Sequence, residues 1–367
     1  MKICLFGDAR SIHIRQLATG LARRGHHLLV VTHKPAEISG VAVERFRVPA
    51  ASVTNLRGWS GRQTQYLRGF LRRFDVVNIH FLADWGFRFD PPLIEQAALV
   101  ATAWGSDIVD PPGETPASAE LTEYRRTLLR RADAVTACGS NFARTVAEYA
   151  GVEAGHVEVV PFGVDLTRFR RRASSETRRP GPPRVGFFKG FRAVYGPTVL
   201  MNAIPLVLRA VPDTKFDLVG DGTELASCQA MAATLGVEHA TTWIPRQPHE
   251  ALPALLESWD LAVIPSVHEA FGVAALESSA MGVAVVASDV GGLADTVRHG
   301  ETGLRVPPGD PAALAGAMIE LLKDVERRRR LGQAGQAMVR RMYDQDRALD
   351  AWLRFYERAC ETNRVMV

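Results

Sequence analysis

The chain repeats one pattern many times: a short continuous apolar run, a turn, and an amphipathic stretch at helical spacing. Unbroken apolar runs of this length are what strands covered on both faces look like. In the first half they are KICLFG (2–7), HLLVVT (27–32), VERFRV (43–48), DVVNIHF (75–81), LVATAW (99–104), AVTACG (134–139) and VEVVPFG (157–163). Between the first two, Ile14, Leu17, Ala18, Leu21 and Ala22 share one helical face and Gly25 ends it. Strand, helix, strand in that order is the parallel βαβ unit.

The rhythm breaks at RFRRRASSETRRPGPPR (168–184), which carries seven arginines and three prolines and has little to bury. It reads as a solvated connection, or as a basic rim turned toward an anionic lipid or acceptor. The rhythm then resumes with RVGFF (184–188), KFDLVG (215–220), TTWIP (241–245), LAVIPS (261–266), VAVVAS (283–288) and a short GLRV (303–306). Helices fall between them: Leu252, Leu255, Leu256 and Trp259 share a face, and Asp310-Pro311 supplies an N-cap and an N1 proline. Leu349, Trp352, Leu353 and Tyr356 form the stripe of a final helix. The expected fold is α/β, two doubly wound parallel-sheet domains in tandem. The expected boundaries are 1–167, a linker 168–183, a second domain 184–345, and a terminal helix 346–367 that crosses back to the first domain. Ligands of such sheets bind beyond the carboxyl ends of the strands, and the cleft between two domains is the default site.

A length of 367 residues suits two cores, and 47% hydrophobic with 23% charged residues is a globular composition. The net charge of +4 is too mild to argue for nucleic acid, and fits an acidic substrate or weak attraction to an anionic membrane. Cys4, Cys138, Cys228 and Cys360 are far apart and form no C-x-x-C, so neither a disulfide frame nor a zinc site is expected. Asp8 interrupts any signal-peptide core, and no run approaches the roughly 18 apolar residues of a membrane span. The expected location is cytoplasmic, with room for peripheral contact at the inner membrane surface.

The stretch EAFGVAALE, Glu269 to Glu277, carries the sharpest chemistry. It follows the strand LAVIPS, and Gly272 opens a helix that closes at Gly282. The backbone N–H groups of Phe271, Gly272 and Val273 then form a ready anion site, with a glycine that permits close approach. Glu269 just before that terminus and Glu277 inside the helix could reach opposite sides of a diphosphate-bearing ligand, one toward a sugar and one toward a ribose. The plainer alternative is two acids stabilising a helix start and its solvent face.

PSVHEAFGVAALESSAMGVAVVASDVGG resembles the E-x7-E region of the retaining glycosyltransferases of family 4, which have the two-Rossmann GT-B fold. DVVNIHF with ATAWGSD, then RRADAVTACGSNFA, VVPFGVDLTRF, LVGDGTE, WIPRQPHEALPALL and GETGLRVPPGDPAALAGAM follow in the family's order. The resemblance implies that Glu269 contacts the donor sugar and that Glu277 binds the ribose hydroxyls, which a carboxylate accepts well. It implies diphosphate binding at the amides of Phe271, Gly272 and Val273. In VGFFKGFRAVYG it implies Lys189 as the phosphate cation; the family's commoner form has an arginine and a later lysine, and here Tyr195 replaces that lysine, with Arg192 a candidate for the vacant charge. The base would rest near IPRQP (244–248), beside Arg246. Gly7, in the GDARS turn, would approach the diphosphate or acceptor from the first domain, unless that turn is an ordinary βα turn.

One departure stands out. Trp104 occupies the place where the family often has a histidine near the transferred sugar, and His80 is the nearest alternative. Trp104 and Asp107 would line the acceptor side, with Asp107 available to bind a hydroxyl. Asp344-Gln345-Asp346 has the spacing of a metal motif but the wrong setting, after RRMY rather than at the end of an apolar strand, so no metal and no other cofactor is expected. VGDGTE has no G-x-G-x-x-G beside it, which leaves a nicotinamide enzyme poorly supported. The implied activity is retaining transfer from a nucleotide-diphosphate sugar, UDP favoured over GDP-mannose, to a glycan, lipid-linked or natural-product acceptor. It would proceed by front-face attack with the departing phosphate helping to remove the acceptor's proton. Two other classes stay open: an epimerase or phosphorylase on the same fold, and a nucleotide-sugar binding protein without turnover. Product analysis separates all three.

Overall fold

The computed structural model describes residues 1–46, 61–82, 94, 96–110, 115–171 and 181–366. Most of the arginine-rich stretch, 172–180, lies outside the described residues. The chain divides into two units, one drawn from 1–110, 114–162 and 346–367, the other from 163–345 with residues 111–113.

Among the described residues, the first unit holds a seven-stranded parallel sheet of β1 (Lys2–Phe6), β2 (His27–Thr32), β3 (Ala42–Arg45), β4 (Val76–His80), β5 (Ala98–Thr102), β6 (Ala134–Ala137) and β7 (Val157–Val159). Their order is β3-β2-β1-β4-β5-β6-β7. With it come α1 (Ile12–Arg23), α2 (Gly61–Leu71), α3 (Ala119–Arg131) and α4 (Ser140–Ala150). Burial follows from apolar content: every residue of β4 and β5 is buried, while β3 at the sheet edge is mostly exposed.

The second unit repeats the plan with six parallel strands: β8 (Arg184–Phe187), β9 (Lys215–Val219), β10 (Thr241–Ile244), β11 (Leu261–Ile264), β12 (Ala284–Ser288) and β13 (Gly303–Val306). They run in the order β10-β9-β8-β11-β12-β13. Its helices are α5 (Pro197–Ala210), α6 (Leu225–Thr234), α7 (Leu252–Glu257), α8 (Val273–Ala280), α9 (Leu293–Thr296), α10 (Pro311–Lys323) and α11 (Val325–Met342). Phe187, Phe216, Ile204, Val263, Val286 and Met318 are central to its core. Asp310 caps α10 by accepting from the amides of Ala312 and Ala313, both at 2.9 Å. In each sheet the order reverses between the first and fourth strands, β1 and β4, or β8 and β11. That reversal opens a crevice at the strands' carboxyl ends.

The last helix, α12 (Gln345–Met366), belongs almost wholly to the first unit. Leu349, Trp352, Phe355, Tyr356 and Ala359 join the core of β1 and α1. Gly20 of α1 makes room, since a Cβ there would lie 2.5 Å from Leu349 Cδ1. Asn78 Nδ2 donates to the Tyr356 hydroxyl at 2.8 Å and accepts from Thr102 Oγ1 through its Oδ1, also at 2.8 Å, a buried chain that seats the helix. The Asp344-Gln345-Asp346 stretch is structural. Asp344 bridges to Val164 in parallel, Gln345 begins α12, and Asp346 pairs with Arg24 at 3.0 Å. Among the described residues no group of three or more His, Cys, Asp or Glu side chains could hold a metal ion, and no helix is long and apolar enough to cross a membrane.

Candidate active site

The switch point of the second sheet lies between β8 and β11, and the loops leaving these two strands carry Lys189 and Glu269. The Lys189 ammonium donates to Glu269 Oε2, and Ser266 Oγ donates to the same oxygen at 3.2 Å. Lys189 Nζ also lies over the Tyr195 ring, 4.3 Å from its centroid, so Tyr195 gives the cation an aromatic face. Both charged side chains are largely withdrawn from water, at 12% and 13% exposure. Burial works against the Lys189 charge, yet Glu269, Tyr195 and Glu277 together outweigh it and raise the ammonium pKa. A permanent cation thus sits at the mouth of the sheet, facing two carboxylates.

The two loops are held by backbone. Phe191 N–H donates to Asp221 O at 2.7 Å, and Glu224 N–H donates to Phe191 O at 2.8 Å. The glycines of VGDG allow this approach, because a Cβ on Gly220 would stand 2.3 Å from Lys189 O. This pair of glycines therefore seats the lysine loop rather than a dinucleotide. Gly292 N–H donates to Glu269 O at 2.9 Å, and Thr296 Oγ1 donates to Phe271 O at 3.1 Å.

Gly272 is the N-cap of α8 with φ +95, a region that disfavours any side chain. A Cβ there would also lie 2.6 Å from Leu293 Cδ2. The amides of Ala275 and Leu276 turn back onto Gly272 O at 2.9 and 3.3 Å. Those of Val273 and Ala274 come before the first intrahelical bond and have no carbonyl of their own helix to reach. This helix start can receive an anion, and Lys189 stands at the neighbouring loop.

Glu277 lies one turn into α8 and is buried at 7% exposure. Its Oε1 accepts from His249 Nε2 at 2.6 Å, and His249 Nδ1 faces Arg168 Nη1 at 3.0 Å. His249 begins the turn that follows β10 and its loop. The sequence places the base near that loop, and nothing in its local pattern singles out His249. The histidine stands in RQPHEALP, but only the fold brings residue 249 to residue 277. Arg246 is exposed in the same loop. Arg192 is exposed at the start of the turn 193–195 that carries Tyr195. Lys189, Glu269 and Glu277 are thus brought together; Arg192 and Arg246 stand on exposed loop positions.

The other candidates lie in the first unit. Gly7 follows β1, and a Cβ on it would meet Ile14 Cδ1 at 2.8 Å, so its small size serves packing of α1. His80, at the end of β4, is 1% exposed, and its Nδ1 accepts from Trp104 Nε1 at 3.3 Å. Burial, and to a lesser degree His13, drives the His80 pKa down to about 3, so the ring is neutral. Trp104 is half-buried and meets His13 and Phe162 edge to face, with centroids 5.3 and 5.4 Å apart. Asp107 is fully buried, and its carboxylate accepts the amides of Gly105 at 2.7 Å, Trp104 at 3.0 Å and Leu82 at 3.1 Å. Burial raises its pKa against those bonds. The structure gives Asp107 the task of clamping the turn, with its oxygens already committed to backbone.

Comparison with known proteins agrees with this architecture. Residues 11–168 match the family model "Glycosyltransferase Family 4", and residues 169–338 match "Glycosyl transferases group 1". The chain is 34% identical over 277 residues to the D-inositol 3-phosphate glycosyltransferase of Nocardia farcinica, an alignment spanning 71% of this chain and 61% of that protein. It is 27% identical to the glycogen synthase of Mycobacterium tuberculosis, over 90% of this chain and 86% of that one. Anabaena HepE, solved with UDP and glucose, shares the fold with a TM-score of 0.79 at 20% identity, covering 96% of this chain and 98% of its own. Two parallel-sheet units and two consecutive family matches covering most of the chain lead to one assignment: the protein belongs to glycosyltransferase family 4 and is a glycosyltransferase of the GT-B fold.

Proposed function

We propose that the second unit binds a nucleotide-diphosphate sugar, UDP-linked, at the β8/β11 switch point, and that the protein transfers the sugar with retention of configuration. The observation that carries this reading is the convergence of Lys189, Glu269 and the start of α8, with Glu277 one turn inside that helix. A diphosphate is matched by a raised-pKa ammonium and the amides of Phe271, Gly272 and Val273. Glu277 offers a carboxylate to the ribose hydroxyls. Glu269, released from Lys189 as the phosphate takes up that charge, is placed to accept from hydroxyls of the sugar. The family resemblance and the UDP and glucose held by HepE support the same donor class.

As the glycosidic bond to phosphate breaks, negative charge grows on the leaving diphosphate. Lys189 and the oriented amides are in place before that charge appears, so little reorganisation is required; one such donor is worth roughly 3–4 kcal/mol in a comparable anion hole. Front-face attack by the acceptor hydroxyl, with its proton passing to the departing phosphate, gives retention without a second carboxylate nucleophile. The inositol-phosphate and glycogen acceptors named for the relatives define the first acceptor classes to try.

The test is a thermal-shift panel of UDP, GDP, ADP and dTDP on the wild type and on Glu277→Ala, each with and without magnesium. A specific nucleotide at about 100 times its dissociation constant adds roughly 2.7 kcal/mol. The expected result is stabilisation by UDP that Glu277→Ala removes. Stabilisation by none of the four would overturn the reading. Proton NMR of the anomeric signal in the first product then decides retention against inversion.

A further inference from the structure

Glu277 is not a bare carboxylate waiting for ligand; it is the end of a three-residue chain drawn from three separate segments. Arg168 lies shortly after β7, His249 after β10, and Glu277 within α8. Arg168 Nη1 stands 3.0 Å from His249 Nδ1, and His249 Nε2 stands 2.6 Å from Glu277 Oε1. A guanidinium is a donor only. His249 Nδ1 must therefore accept, the ring proton must sit on Nε2, and that N–H must donate to the carboxylate. The partners alone fix the tautomer.

The chain is braced at its outer end. Arg168 is within ion-pair reach of Glu250 at 3.6 Å and of Asp165 at 4.0 Å. The Phe169 ring packs against the His249 ring with centroids 5.1 Å apart. The His249 and Glu277 side chains are 17% and 10% exposed, so the bond between them lies in a largely dry place. Holding Oε1 fixes the plane of the carboxylate and leaves Oε2 for another donor. We infer that Arg168 and His249 are positioning residues that aim the Glu277 carboxylate at a nucleotide ribose, and so make the site choose ribonucleotides over deoxyribonucleotides. This rests on the ribose role given to Glu277 above.

A chain that merely ties α8 to its neighbours would affect every nucleotide alike. A positioning chain affects the one whose hydroxyl it serves. Isothermal titration with UDP and with 2′-deoxyuridine diphosphate distinguishes the two. The wild type is expected to prefer UDP by about 10- to 100-fold, the range of a hydrogen bond to a charged group. His249→Leu is expected to weaken UDP about tenfold while moving the deoxy nucleotide less than threefold. His249→Gln, whose amide N–H can stand near the lost Nε2–H, should recover at least half of the preference on a logarithmic scale. Arg168→Met, a change at the outer end, should lower the preference severalfold and carries the test should His249→Leu not fold.

A preference unchanged in folded His249→Leu or in Arg168→Met, or both nucleotides weakened equally, overturns the inference. Glu277→Gln separates this from the underlying reading. If Glu277→Gln abolishes the preference and the His249 and Arg168 variants keep it, the positioning role falls alone. If the wild type binds the two nucleotides equally, the ribose role of Glu277 falls and takes the positioning role with it.

Discussion

The ion pair between Lys189 and Glu269 gives the sharpest energetic prediction. Removing one partner of a fully buried pair costs about 3–5 kcal/mol, while a fully exposed pair contributes about 0–1 kcal/mol. These side chains are 12% and 13% exposed, which places them near the buried limit. Lys189→Met leaves Glu269 with the Ser266 hydroxyl alone at 3.2 Å, so a loss of about 3 kcal/mol is expected in the ligand-free protein. Glu269→Gln leaves Lys189 with the Tyr195 ring at 4.3 Å and the charge of Glu277, and should lose less, about 2 kcal/mol. The double variant buries no unpaired charge from this pair, so it should resemble the milder single change, with a coupling near 3 kcal/mol. The assay is urea-dependent hydrogen exchange read on peptides of the second unit, which keeps unfolding of the first unit out of the measurement. Because the Lys189 pKa is raised, its contribution is intact below the ordinary lysine range and is lost only as pH rises beyond it; the coupling should be equal at pH 7 and pH 9. Additive effects, with a coupling under about 0.5 kcal/mol, would refute the claim that the two charges act as one unit.

Gly272→Ala must place a Cβ at φ +95 and 2.6 Å from Leu293 Cδ2; a loss of about 1–3 kcal/mol and at least a tenfold weaker UDP titration are expected. His80 has a folded value near 3 against an ordinary 6.5, so between those limits the unfolded chain takes up a proton that the folded chain refuses. Stability of the first unit should be full above pH 6.5 and fall toward pH 3, by about 5 kcal/mol over the whole window, and acid titration of His80→Gln should show that slope removed. Tyr356→Phe strips the buried Asn78 amide of its 2.8 Å partner and should cost about 1–2 kcal/mol in a denaturation midpoint of the first unit.

Much of the architecture was legible because burial on both faces writes itself as unbroken apolar runs. HLLVVT and GLRV match β2 and β13 residue for residue, and LAVIPS overshoots β11 by two. The overshoot has a cause: Pro265 and Ser266 are also buried, but they lie past the end of the β11–β12 ladder, and Ser266 bonds Glu269 instead. The helix α11 was missed because VERRRRLGQAGQAMVRR hides its buried stripe of Leu331, Gly332, Gly335, Met338 and Val339 among arginines and small residues. In the candidate site, Glu269 and Gly272 are legible from local spacing, one after a strand and one at a helix start, and Glu277 from the same short stretch; Lys189 comes from the family resemblance of its loop. His249, Arg168 and Ser266 could not be ranked, because their importance arises from contacts across the fold. Asp107 shows the reverse limit: an acid after a strand reads as a ligand group until the three amides it accepts are seen.

The most direct test of the central claim is hydrogen–deuterium exchange of the full chain with and without a saturating nucleoside diphosphate, UDP first. The account predicts new protection in peptides covering 188–196, 247–252 and 265–277, the lysine loop, the His249 turn and the start of α8. Protection absent from these three segments, or confined to other segments while binding is saturated, would contradict it.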